Sequence, residues 1–339
     1  MVGGFVVLLV LVALIVNTVF GRPGGKDPAG TTVASHSLKT VNIPAGVNAN
    51  EVGKILQREG IIDSIQEFVA EVKADGVDSK LKPGSYQLPE GGELADIIAR
   101  LQTGGTPVGI RITLPEGLSI DQAAGRLEGG GAADAQEYQR LANRPADFTL
   151  PRVGGTVVTP KTLEGLLFPS TYFVQSDQGA KDLIRQQLAT FESKTVDLPW
   201  DKAKALGIDP YEVVIVASLI EKEARVPEER ARVASVIYNR LRKKMPLGID
   251  ATVRYAVGKW TGPLTKSDLD VASPYNTRRY KGLPPGPIAS PGRATLEAAL
   301  RPEKSSYLYY VLIDKDGHHF FTSSYDEFVK AKENAPDLR

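Results

Sequence analysis

Residues 2–20 read VGGFVVLLVLVALIVNTVF, nineteen positions without a charge. A helix rises 1.5 Å per residue, so this run just suffices to cross a bilayer core. A buried core helix is the bland alternative, but the stretch that follows, GRPGGKDPAGTTVASHS at 21–37, has no periodic apolar face to cover it. A cleaved signal peptide is the nearer rival, and no clear A-x-A site follows the run. The expectation is therefore a retained transmembrane anchor over 1–20 and a flexible linker over 21–37. Arg22 and Lys26 follow the run while no Lys or Arg precedes it, which by flanking charge alone would keep the remainder in the cytoplasm.

The rest of the 339 residues suffices for about two ordinary domains with real cores. With no cysteine and three histidines, disulfides, thiolate nucleophiles and cysteine-ligated metal sites are excluded. His318-His319 lacks the H-E-x-x-H spacing, so no metal is expected. The Asp316-Gly317 pair between strand-like runs reads instead as a β-hairpin packed on the domain. A net charge of +1 gives no footprint for nucleic acid, and the basic run 240–244 reads as a solvated helix end suited to the helix dipole. No phosphate-binding loop or G-x-S-x-G elbow is present.

From Val41 a β-like stretch, a turn at Pro44 and Gly46, and a helix with Val52, Ile55 and Leu56 on one face follow in order, with Asn48 or Asn50 as its cap. The same pattern returns with Pro115, Gly117 and Leu127 at one constant offset. Each copy closes on a turn and an aromatic strand, at 81–88 and at 167–173. Two small α/β modules are expected, over 38–105 and 106–175. A glycan-binding role and a mere spacer role are equally open for them. The Gly/Ala-rich insert 129–134 offers little apolar surface and is expected only to join elements.

Beyond residue 176 the pattern changes to longer helices. Asp209-Pro210 starts one, and the Val226-Pro227 step breaks it from a second whose apolar face carries Val233, Val236, Ile237 and Leu241. Glu221 and Glu223 close the first helix. Two residues apart, they point in different directions and form no local acid pair. Glu221, three residues after Ser218, could meet a substrate as an acid, or simply pair with Arg225 or a second-helix arginine. Further on, Asp250, Thr252 and Tyr255 precede Tyr275-Asn276-Thr277 and a loop over 282–292 with four prolines and three glycines, a fixed-shape wall for a cleft.

Taken together, Ala217-Ser218-Leu219-Ile220-Glu221-Lys222-Glu223, Ala234 through Leu241, Tyr275-Asn276-Thr277 and the 282–292 loop resemble the YceG-like endolytic murein transglycosylases. These are membrane-anchored bacterial enzymes that cut peptidoglycan glycan strands. The resemblance covers about residues 40 to 331 and implies an α+β chain: an N-terminal transmembrane helix, repeated small modules of which the first is LysM-like, and a catalytic domain over 176–331. Carried over by position, the catalytic glutamate falls on Glu221. Ser218, Glu223, Asn239, Asp250, Thr252, Tyr275, Asn276 and Ser290 become candidates for substrate contacts. Gly248 departs from the family pattern, which has glutamine there, and removes an amide contact.

The implied chemistry is protonation of the β-1,4 oxygen between N-acetylmuramic acid and N-acetylglucosamine, then attack by the muramyl 6-hydroxyl, which leaves a 1,6-anhydromuramyl end. One carboxyl serves as acid and then base, and the internal nucleophile removes the need for a second carboxylate around a water. No cofactor is implied. The implied partners are glycan strands, the cytoplasmic membrane and, further, peptidoglycan synthases; no nucleic acid is expected. The implied location is the bacterial cytoplasmic membrane with the large part on the cell-wall side, against the flanking charges. A hydrolytic muramidase and a non-catalytic peptidoglycan-binding scaffold are the alternatives.

Overall fold

Val41 and Ile43 alternate with polar residues along the strand β1 (Leu38–Ile43), and Tyr86 and Leu88 do so along β2 (Gly84–Pro89). Such period-two patterns bury one sheet face, and the two strands pair antiparallel with Val41 opposite Tyr86. The helices Ala49–Arg58, Ile65–Ala74 and Leu94–Thr103 cover that face and enclose Val52, Leu56, Phe68, Val72, Ile97 and Leu101. Of the two expected caps, Asn48 is the one used. Its side chain accepts the Glu51 N–H, and Glu51 returns the bond to the Asn48 N–H.

The computed structural model describes residues 37–44, 46–106, 109–174 and 179–335. The apolar run 2–20 and most of the linker lie outside them. Among the described residues no helix is long and apolar enough to cross a membrane.

The internal repeat is present in three dimensions. The strand β3 (Ile110–Leu114) leads through Gly117 into the helix Ile120–Gly130. A two-residue ladder, β4 (Arg152–Val153) with β5 (Thr156–Val157), intervenes before β6 (Ser170–Val174) pairs antiparallel with β3. The turn glycines match, with φ of +78° at Gly46 and +79° at Gly117. Both repeats also close with a tyrosine whose hydroxyl donates to the carbonyl four residues earlier, Tyr86 to Lys82 and Tyr172 to Phe168, each at 2.5 Å.

The two repeats differ in what they pack against. The first has its own core. The second shares one with the C-terminal helices, where Leu127, Tyr138, Leu163 and Phe168 join Val213, Val216, Ile220, Ile288 and Leu296. A cleft of about 540 Å³ lies between the first module and β6 with the helix Gly179–Thr195.

The helix Pro210–Glu223 is buried without interruption from Val213 to Ile220, which places it at the centre of that shared core. After the break at Pro227 comes the helix Arg230–Arg242, then Asp250–Val257, Lys266–Leu269 and Arg293–Leu300. The Asp316-Gly317 hairpin forms as expected from β7 (Tyr309–Leu312) and β8 (His319–Thr322), and the helix Tyr325–Asn334 packs on it. Helices and small antiparallel sheets together make the chain a mixed α and β fold. The basic run departs from expectation at Arg240, which donates to the Leu308 carbonyl at 2.6 Å and to the Leu247 carbonyl. It pins the hairpin strand instead of facing solvent, because two backbone acceptors on incoming segments meet its planar fork of donors.

Candidate active site

The apolar helix Pro210–Glu223 emerges from the core at its C-terminal end, and there its side chains turn polar. Ser218 is still inside, where its hydroxyl donates to the Ile215 carbonyl at 2.7 Å and accepts the Ile288 N–H at 3.1 Å. That second bond ties the 282–292 loop to the helix. The loop is also stitched to the second module: the Gly117 N–H donates to the Ser290 carbonyl at 2.9 Å, and the Ser290 N–H donates to the Leu118 carbonyl at 2.8 Å. Three segments far apart in sequence therefore converge at Glu221, Lys222 and Glu223.

The two glutamates have different surroundings. Glu221 Oε2 accepts the Gly292 N–H at 3.0 Å and the Thr295 hydroxyl, so it holds the start of the helix Arg293–Leu300. The Glu116 carboxyl lies on the other side of Gly292, and its pKa is raised above the ordinary carboxylate value, first by loss of solvent and second by the Glu221 charge, with Arg230 opposing. Glu223 faces the hairpin. Its Oε2 accepts the Tyr310 hydroxyl at 2.7 Å. Burial pushes the Glu223 carboxyl up to about 7 and the Asp250 charge adds to this, while the Tyr310 hydrogen bond, Arg240 and Arg225 act in the opposite direction.

Lys222, between them, donates to the Gly117 carbonyl at 2.8 Å and stands 4.0 Å from the centre of the Trp260 ring. Burial lowers its pKa, with Glu164 and Glu221 opposing. Tyr255 connects this edge to an aromatic group, lying edge-on to Trp260 and 4.8 Å from the Tyr275 ring. Behind them is Glu164, 2% exposed. Its Oε2 accepts the Ile120 N–H at 3.1 Å, and its Oε1 has no hydrogen-bond partner among the described residues. Burial pushes this carboxyl up to about 8.

The other residues picked from the sequence fall into two sets. Thr252 and Asn276 are buried joints. The Thr252 hydroxyl donates to the Ile249 carbonyl at 2.6 Å and lies 2.9 Å from that of Thr277, and Asn276 Nδ2 donates to the Leu269 and Val271 carbonyls. Asn239 is similar, since its amide donates to the Ser305 and Tyr307 carbonyls and its oxygen accepts from Arg242. Asp250 is exposed and accepts from Arg278 at 2.7 Å. Tyr275 and Ser290 line the loop side, with the Tyr275 hydroxyl close against Gly286. Gly248 has a φ of +66°, a backbone state that side-chain-bearing residues rarely adopt.

Sequence reasoning passed over Glu116, Lys222, Glu164, Trp260, Thr295 and Tyr310. Glu116 could have been found, since it stands between the Pro115 and Gly117 that marked the repeat. Tyr310 and Thr295 could not, because their relation to the glutamates exists only across 87 and 74 residues. Among the described residues one carboxylate and histidine group has metal-like proximity, Asp314, Asp316 and His318. Asp314 there accepts the Gly317 and His318 N–H groups and the His318 ring, which closes the hairpin turn.

Residues 41–334 match the model of the YceG-like family. A Bacillus subtilis protein named endolytic murein transglycosylase is 36% identical over 314 residues, covering 88% of this chain and 85% of that one. One of the same name from Streptococcus pneumoniae is 31% identical, covering 86% of this chain, which spans only 57% of that longer protein. The crystal structure of a putative YceG-like protein from Listeria monocytogenes superposes with a TM-score of 0.57 at 31% identity, covering 87% of this chain and 98% of that one.

Proposed function

We propose, from the premise that this chain belongs to the YceG-like family, that it cuts peptidoglycan glycan strands endolytically by intramolecular transglycosylation. The bond broken is the β-1,4 link from N-acetylmuramic acid to N-acetylglucosamine. The proton goes to the leaving oxygen, and the muramyl 6-hydroxyl closes on C1 to leave a 1,6-anhydro end. The chemistry asks for one carboxyl that is protonated near neutral pH and can take a proton back.

The observation that carries the assignment is the environment of Glu223, whose carboxyl faces the hairpin with Oε2 accepting the Tyr310 hydroxyl at 2.7 Å and is pushed up by burial. Glu221, the position given by the resemblance, has both of its donors on one oxygen and serves to hold Gly292 and Thr295 in place. We therefore assign proton donation to Glu223 and support of the 282–292 loop and the helix after it to Glu221. Asp250, which pairs with Arg278, is close enough for its charge to act on the donor, and Lys222, Trp260, Tyr275 and Ser290 offer polar and aromatic surface for sugar. The same reading gives residues 1–20 the role of a cytoplasmic-membrane anchor with the remainder on the cell-wall side, the first module a LysM-like contact with glycan, and peptidoglycan synthases as partners.

The test is digestion of purified glycan strands with product analysis by mass. Anhydromuramyl ends are expected, and reducing muramic acid ends would establish a muramidase instead. Glu223→Gln should lower cutting by about 10²- to 10⁴-fold with glycan binding retained. Glu221→Gln should keep measurable cutting with a lowered melting temperature. The reverse order would return the acid to Glu221, full activity in both would place the acid outside this helix end, and no cutting by the parent chain would leave a binding scaffold.

A further inference from the structure

The hairpin β7–β8 is separate in sequence from the 282–292 loop, yet one of its faces is turned toward Glu223. In its register Tyr310 is opposite Phe321 and Leu312 is opposite His319, so these four side chains share a face. Tyr310 donates its hydroxyl to Glu223 Oε2 at 2.7 Å. Its ring is held on two sides, edge-on to the His319 ring at 5.5 Å between centroids and tilted against Phe321 at 5.8 Å.

His319 is itself fixed. Its Nδ1 is 2.7 Å from Glu229 Oε2, and its backbone N–H donates to Glu229 Oε1 at 3.0 Å. The two side chains are 7% and 4% exposed. Glu229 ends the short turn Pro227–Glu229, which begins four residues after Glu223. The chain that leaves the glutamate is thus clamped to β8, the strand paired with the one that carries its hydrogen-bond donor.

We propose that Tyr310 is a positioning residue for Glu223, and that the buried Glu229–His319 pair holds Tyr310 in place, so that the hairpin orients the acid and steadies its carboxylate. This rests on the reading of Glu223 as the proton donor. The charged groups that act on Glu223 come from three other places, Arg240 on the helix Arg230–Arg242, Asp250 at the start of Asp250–Val257 and Arg225 just downstream, while Glu221 and Lys222 precede it on its own helix. Among the described residues Tyr310 is the neutral donor on Glu223. A neutral donor favours the ionised form without the long-range field of a cation, so it acts on proton return as well as on geometry.

The experiment is the pH dependence of kcat/KM on defined glycan strands for four variants of the full chain: Tyr310→Phe, His319→Ala, their combination, and Glu223→Gln. Tyr310→Phe removes one oxygen from a packed ring. Without the donor the acid holds its proton to higher pH, so the basic limb should move up by on the order of one pH unit. The kcat should fall about 3- to 30-fold while KM changes by less than about 2-fold. His319→Ala should move the same limb in the same direction, and should move it no further when Tyr310 is already Phe. An unmoved limb and unchanged kcat in Tyr310→Phe, with Glu223→Gln inactive, would overturn the proposal. Additive shifts in the combined variant would remove His319 from it. An active Glu223→Gln would instead sink the reading of Glu223 as the acid.

Discussion

At Gly292 the absence of one carbon decides how two carboxylates are spaced. Its N–H reaches Glu221, while a methyl on its Cα would stand 1.9 Å from Glu116 Oε1. Its φ of −76° is open to any residue, so close approach and not backbone freedom selects glycine here. Glu116 is the end of a flexible side chain and can swing away. Gly292→Ala should therefore cost only about 0.5–1.5 kcal/mol in denaturant unfolding, and that cost should vanish when Glu116 is also Ala. Gly165 gives the contrast. It has a φ of +78°, and a methyl there would meet the Pro287 ring at 2.5 Å and Val214 at 3.2 Å. Neither neighbour can yield, and Gly165→Ala should cost more than about 2 kcal/mol in the same assay.

At the scale of elements, the helix that carries the glutamates was the most legible part of the chain. Asp209 accepts the Glu212 N–H and Glu212 returns a bond to the Asp209 N–H, with Pro210 opening the first turn where no N–H is needed. Asp209→Ala should destabilise the fold by about 1 kcal/mol without changing the pH profile of cutting, since the cap is a full helix length from Glu223. A changed profile would mean that the cap's effect reaches the site. The hairpin was legible as a hairpin from Asp316-Gly317, but not as a support for the site. Its face toward Glu223 is chosen by how β7 docks on Arg240 and Asn239, a relation between segments about 68 residues apart.

At the scale of the whole molecule, the second repeat, the glutamate helix and the loop over 282–292 share one core, and a carboxylic acid is buried in it. Glu164 is raised to about 8 and Glu223 to about 7 in the folded chain. The folded state therefore keeps protons that the unfolded chain releases above the ordinary carboxylate value, and stability falls as pH rises from there through about 7 and 8. The melting temperature should decline between about pH 5 and pH 8. Glu164→Gln should flatten that decline and should raise stability at about pH 8 relative to the parent chain. An unchanged slope would place the titrating group elsewhere.

The sequence by itself determined the local features: the repeat of strand, turn and helix, the cap at Asp209, the break at Pro227, the hairpin turn, and the segment in which the acid must be sought. Each depends on residues within a few positions of one another, where backbone preference and apolar period suffice. The surroundings of Glu221 and Glu223 were decided only in the tertiary structure. A carboxyl on a helix end departs from its ordinary proton affinity only through the burial, donors and charges that other segments bring to it. The partners that set them apart, Gly292 and Thr295 for one and Tyr310 and Arg240 for the other, arrive from parts of the chain that no local pattern joins.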